Sequence, residues 1–99
     1  MLEYKAENVD HLELGDGEIF MLESLRQAVV PPYILIVPFI ELPSGIELVR
    51  QDGLEEDGIH GANFMLRAAE AGEGELRVGF RDLRNGDVVI EKSIHARVS

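Results

Sequence analysis

Leu76-Arg77-Val78-Gly79-Phe80-Arg81 is the stretch on which the fold turns. Leu76, Val78 and Phe80 alternate with Arg77, Gly79 and Arg81, so apolar and mostly charged side chains leave one strand on opposite faces. Just beyond it, Asn85-Gly86 supplies residues that accept left-handed backbone, a hairpin signal. The following run places Val88, Ile90, Ile94, Ala96 and Val98 on one parity and Glu91, Ser93, His95 and Arg97 on the other. Lys92 breaks the apolar parity and marks a strand edge or a bulge. Upstream, Phe64, Leu66 and Ala68 alternate with Met65, Arg67 and Ala69, and Ala71-Gly72-Glu73-Gly74 turns the chain before Leu76.

The first half is less regular. Residues 18–23 and 34–40 read as strands apolar on both faces, the second interrupted by Pro38, which cannot donate to a ladder. Residues 46–51 read as a short strand and 2–6 as an edge strand. Met21, Leu22, Leu25, Ala28 and Val29 fall at helical spacing, which allows a helical turn over 24–28 before Pro31-Pro32 stops it. With turn residues recurring between short apolar runs, the expectation is an all-β sandwich of about seven strands, one domain spanning 1–99.

The 99 residues suffice for a core, burying roughly 65% of the surface an unfolded chain exposes. No cysteine is present, which excludes disulfides, thiol nucleophiles and zinc–thiolate sites. The formal net charge of −10 argues against nucleic-acid and anionic-membrane partners. All of it lies in residues 1–60, with thirteen acids against three bases, whereas 61–99 hold six of each. The densest acidic run, Asp52 to Asp57, reads as a solvated loop, since its consecutive acids miss the alternate spacing of a calcium loop. No apolar stretch is long and unbroken enough to span a bilayer, and the first residues show no signal-peptide pattern, so the expected location is cytoplasmic.

Catalytic patterns are missing. His11, His60 and His95 have no partner at metal-ligand spacing, no serine sits in a nucleophile elbow, and no glycine motif cradles phosphate. His60 is expected in a loop tip, His11 ahead of a turn and His95 on an exposed strand face. The chain therefore reads as a non-enzyme without cofactor or metal. Two segments look like contact surfaces for a protein partner. One is the polar loop from Arg81 through Arg84 to Gly86, and the other is the stiff, apolar Val30-Pro31-Pro32-Tyr33.

The order of features resembles the chagasin-like inhibitors of papain-family cysteine peptidases. The resemblance rests on Gly58-Ile59-His60-Gly61-Ala62-Asn63-Phe64, on Ala68-Ala69-Glu70-Ala71-Gly72, and on Leu76 to Arg81. Leu14-Gly15-Asp16-Gly17-Glu18-Ile19-Phe20-Met21-Leu22 is similar to that family's first core strand. The resemblance implies an immunoglobulin-like sandwich whose loops at one end enter a peptidase cleft, with Gly58, His60 and Gly61 in one of them. The chain departs from the family at two loops: the Asn-Pro-Thr-Thr-Gly loop is absent from the matching stretch Glu23 to Pro32, and Asp82-Leu83-Arg84 stands in place of Arg-Pro-Trp, without its aromatic residue. Function is thus expected on Val30, Pro31, Pro32, Tyr33, Gly58, His60, Gly61, Arg81 and Arg84, against a protein partner of the cysteine-peptidase class. The alternative is a structural domain that homodimerises through an apolar sheet face, as the strands apolar on both sides suggest.

Overall fold

A computed structural model describes residues 1–28, 36–56 and 59–99. Its strands are β1 (Leu2–Lys5), β2 (His11–Leu14), β3 (Ile19–Glu23), β4 (Gln27–Ala28), β5 (Ile36–Glu41), β6 (Ile46–Glu56), β7 (Ile59–Ala68), β8 (Gly72–Asp82) and β9 (Val88–Val98). One sheet runs β1-β3-β7-β6, with the short β4 continuing β3 alongside the start of β7. The other runs β2-β9-β8-β5. The two sheets make the immunoglobulin-like β-sandwich that the alternation foretold. It has nine described strands rather than seven, because the N-terminal segment splits in two and β4 is separate.

That split closes one side of the sandwich. β1 pairs parallel with β3 and β2 pairs parallel with β9, so the chain crosses between sheets through a 3₁₀ turn, Ala6–Asn8. Ala6 is fully buried at the crossing. The core lies between the sheets: Phe20, Leu22, Phe64 and Leu66 on one side, and Leu12, Leu76, Val78, Ile94 and Ala96 on the other. Tyr4 meets Phe20 edge to face at 6.1 Å between ring centres.

Three local expectations are corrected. Residues 24–28 form no helical turn, since Gln27–Ala28 is a strand. Ser24 is the physical reason. Its backbone N–H donates to the Ala62 carbonyl at 2.8 Å, and its buried Oγ accepts from the Ala62 N–H at 2.8 Å and donates to the Leu25 carbonyl. These bonds lay the segment along β7, and Gly61 makes room, because a Cβ there would stand 3.1 Å from Ser24 Oγ. Next, Asp52 to Glu56 is not a loop but the far half of edge strand β6, paired with β7 from Asn63 to Ile59. Charged residues on an edge discourage further strand pairing there. Asp57 lies outside the described residues.

The third correction concerns β9. Ile94, Ala96 and Val98 are buried as expected, but Val88 and Ile90 are exposed. Val78 pairs with Lys92 and Gly79 with Ile90, so Glu91 is an extra residue, a bulge that turns the upper half of the strand over. Lys92 thereby stays on the core parity at the rim, where Nζ reaches Asp10 at 3.3 Å. Gly79 is what admits the bulge, because a Cβ on it would overlap the Val89 carbonyl oxygen.

Two stability outcomes follow. Ser24→Ala strands the buried Ala62 N–H and is expected to cost about 1–3 kcal/mol in urea unfolding; a cost under about 0.3 kcal/mol contradicts the anchoring role. Gly79→Ala is expected to cost about 1–3 kcal/mol and to shift the amide resonances of Val89 and Ile90. Unchanged spectra there would refute the close approach.

Candidate functional site

Strand direction decides what gathers where. β3 ends upward at Glu23 opposite Asn63, β5 starts beside the end of β8, with Ile36 opposite Asp82, and Glu56 faces Ile59 across the β6–β7 hairpin. The ends of β4, β6 and β8, and the starts of β5, β7 and β9, therefore lie at one pole of the sandwich. The three sequence segments joining them are 29–35, 57–58 and 83–87. Val30, Pro31, Pro32, Tyr33 and Gly58 lie outside the described residues. His60, Gly61, Arg81 and Arg84 are described, and all four belong to strands or a turn at this pole.

Their roles differ from those expected. His60 is in β7, opposite Glu55 and Gln27, rather than in a loop tip, because β6 and β7 extend past the main sheet. Its Nε2 lies 3.7 Å from the Glu55 carboxylate. Gly61 is buried in β7 behind Ser24 and also lines the groove at this pole. A groove of about 410 Å³ opens here, with Ile36 and Pro38 of β5 on one wall and Gln51, Glu55, His60 and Ala62 on the other. It lies at the upper ends of β5 and β6. At the opposite pole those two strands are joined tightly, where the Gly45 carbonyl accepts the Ala69 N–H at 2.7 Å.

Arg81 sits within β8, and its guanidinium lies over the Phe39 ring, 4.9 Å from the centre. No carboxylate pairs with it among the described residues. Arg84 is committed instead to Asp82. Its Nε donates at 2.9 Å and its Nη2 at 2.6 Å to the two carboxylate oxygens, and its backbone N–H donates to Oδ1 at 2.9 Å. These bonds hold the Asp82 carboxyl down to about 2. The turn is completed by Gly86 N–H to the Asp82 carbonyl at 2.7 Å, with Gly86 at φ 78°, and by Asp87 N–H to Asn85 Oδ1. The hairpin signal at Asn85-Gly86 was thus sound, and the loop it closes is a tied one.

The histidines give a grouping that spacing conceals. Parallel pairing sets His11 of β2 against His95 of β9, and the rings stack at 5.2 Å and 12°. His11 Nε2 lies 2.7 Å from Glu13, a bond that holds the Glu13 carboxyl below its ordinary value. His95 lies 3.4 Å from Glu75 and 3.6 Å from Glu73. Among the described residues no three such side chains are arranged to hold a metal ion. This pair lies on the lower half of the β2-β9-β8-β5 sheet, far along the strands from the loop pole.

No protein-family model matches the chain, and no curated protein matches it by sequence. Solved structures do. The fold is similar to that in the solution structure of amebosin, with a TM-score of 0.72, 11% identity, and coverage of 100% of this chain and 99% of that one. It is similar also to the crystal structure of the cysteine protease inhibitor EhICP2 from Entamoeba histolytica, with a TM-score of 0.68, 14% identity, and coverage of 98% of this chain and 91% of that one. The chain thus has a fold shared, over almost its whole length, with a cysteine protease inhibitor.

Proposed function

We propose that the protein is a protein-binding module that inhibits a papain-like cysteine peptidase, presenting the pole formed by segments 24–35, 57–58 and 83–87. The observation that carries this reading is the convergence, at one end of the sandwich, of the strand ends that those segments join. The fold shared with EhICP2 supports it. In this reading Val30, Pro31, Pro32, Tyr33 and Gly58 supply apolar and close-packing contacts, and the turn from Asp82 to Gly86 supplies a polar one. The protein performs no chemistry of its own. It excludes substrate by filling the cleft, and pre-ordering the turn lowers the entropy lost on binding.

Titrating papain with the purified protein tests this directly. The expected result is loss of peptide hydrolysis at protein concentrations of about a micromolar or below, the range of standard-size protein interfaces. Full activity at that concentration rejects the inhibitor reading.

The Arg84–Asp82 tie makes a second outcome. A carboxyl held below its unfolded value stabilises the folded turn above the ordinary range near 3.8, and that contribution is lost as pH falls through about 2. The turn should keep one shape between about pH 8 and 4, and the Asp82 carboxyl carbon should titrate by NMR with a midpoint near 2. A midpoint near 4 would show that the tie does not form in solution.

A further inference from the structure

The upper half of β9 is an open strand edge. β2 covers β9 only from His95 to Val98, and its upper limit is the His95 N–H donating to the Asp10 carbonyl at 3.0 Å. Above that point, residues 88–93 pair with β8 on one side and with nothing on the other among the described residues. Lys92, turned onto Asp10, marks the lower limit of the gap. Six residues at about 3.3 Å each leave room for a strand roughly 20 Å long.

This edge is unusually apolar for an exposed one. Val88, Val89 and Ile90 are 38%, 59% and 40% exposed. The Glu91 bulge points Val88 and Ile90 outward, on the face of Gly79 and Arg81, while Val89 shares the Phe80 face. On that inner side a hollow of about 290 Å³ has Ile36, Phe80 and Val89 as its floor and Asp82, Asp87 and Glu91 at its rim. Asp82 is committed to Arg84, but Asp87 and Glu91 have no ion-pair partner among the described residues.

Charge selects the occupant. A second copy joining edge to edge antiparallel about Val89 would set Asp87 against Glu91 of its partner. A parallel join would set each acid against its own counterpart. Like charges directly opposed destabilise a strand pair, and each copy carries a net −10. A strand of another protein avoids both costs if its residues alternate apolar and basic. The apolar side chains lie beside Val88 and Ile90, and the basic ones lay their stems on Phe80 and Val89 and reach Asp87 and Glu91. We propose that residues 88–93 form a docking edge for an extended segment of a partner protein with an apolar–basic–apolar alternation, added to the sheet as a strand. This edge looks sideways from β9, and the proposal does not rest on the inhibitor reading.

The experiment titrates the ¹⁵N-labelled full chain with acetyl-Val-Lys-Val-Lys-Val-amide. Two controls replace both lysines by Glu, or the central Val by Pro. The expected result is amide shifts and slowed solvent exchange confined to residues 88–93 and their β8 neighbours. Binding should be about tenfold weaker for the Glu peptide, as two reversed cross-strand charge pairs imply, and absent for the Pro peptide. The double variant Asp87→Lys/Glu91→Lys should prefer the Glu peptide. Equal response to the Lys and Glu peptides, or shifts centred elsewhere, overturns the proposal. So does concentration-dependent dimerisation through this edge, detected by light scattering.

Discussion

Burial between two sheets is the constraint on which everything else in this molecule depends. With no cysteine anywhere in the chain, no disulfide joins the layers. Phe20, Leu22, Phe64 and Leu66 must therefore hold Leu12, Leu76, Val78, Ile94 and Ala96 by contact alone. Each such side chain fully removed from water contributes about 1.5–3 kcal/mol. These residues cluster in the middle and lower parts of the strands, where both layers are complete. Toward the loop pole the inward positions change character: Phe80 is half-buried, and Gln51, Glu55 and His60 occupy the inner parity of β6 and β7. Among the described residues the sandwich is closed below and open above.

That gradient explains why the two candidate surfaces lie at the same end. Where the core thins, β5 and the β6–β7 extension separate into a groove on one side, and β9 loses its β2 neighbour on the other. A fully packed upper layer would remove both features. Polar ties replace apolar packing there: Ser24 fixes the start of one segment to β7, and Asp82 with Arg84 fixes the turn between β8 and β9. Hydrogen bonds of this kind add little net stability, but they restrict geometry, which is what a contact surface requires.

Much of the fold was legible because its information is local. The period of two over Leu76 to Phe80 and over Phe64 to Ala68 states which side chains face the core, and Asn85-Gly86 states where the chain reverses. The missed features depend on partners distant in sequence. Helical spacing over 21–29 is genuine, but Ser24 finds its acceptor and donor on Ala62, thirty-eight residues away, and tertiary pairing overrides the local preference. The single parity assigned to Val88 and Ile94 fails because a bulge changes the phase, and the cause sits on the other strand, at Gly79. Lys92 was the one local sign of it. The His11–His95 stack was invisible for a similar reason: only the parallel pairing of β2 with β9 brings them together.

The candidate site divides along the same line. The convergence of three segments at one pole follows from counting strand reversals, so it was implicit in the turn signals. The duties of individual residues were not. Gly61 was expected in a loop and stands in β7 behind Ser24, and Arg84, expected as a partner contact, is bound at three points to Asp82. Arg81, three positions earlier, carries no carboxylate partner among the described residues, and its guanidinium lies over the Phe39 ring instead. Two arginines three positions apart thus have opposite fates. The reason is that Arg81 leaves the sheet face beside the Phe39 ring, whereas Arg84 sits in a turn whose first residue is an acid.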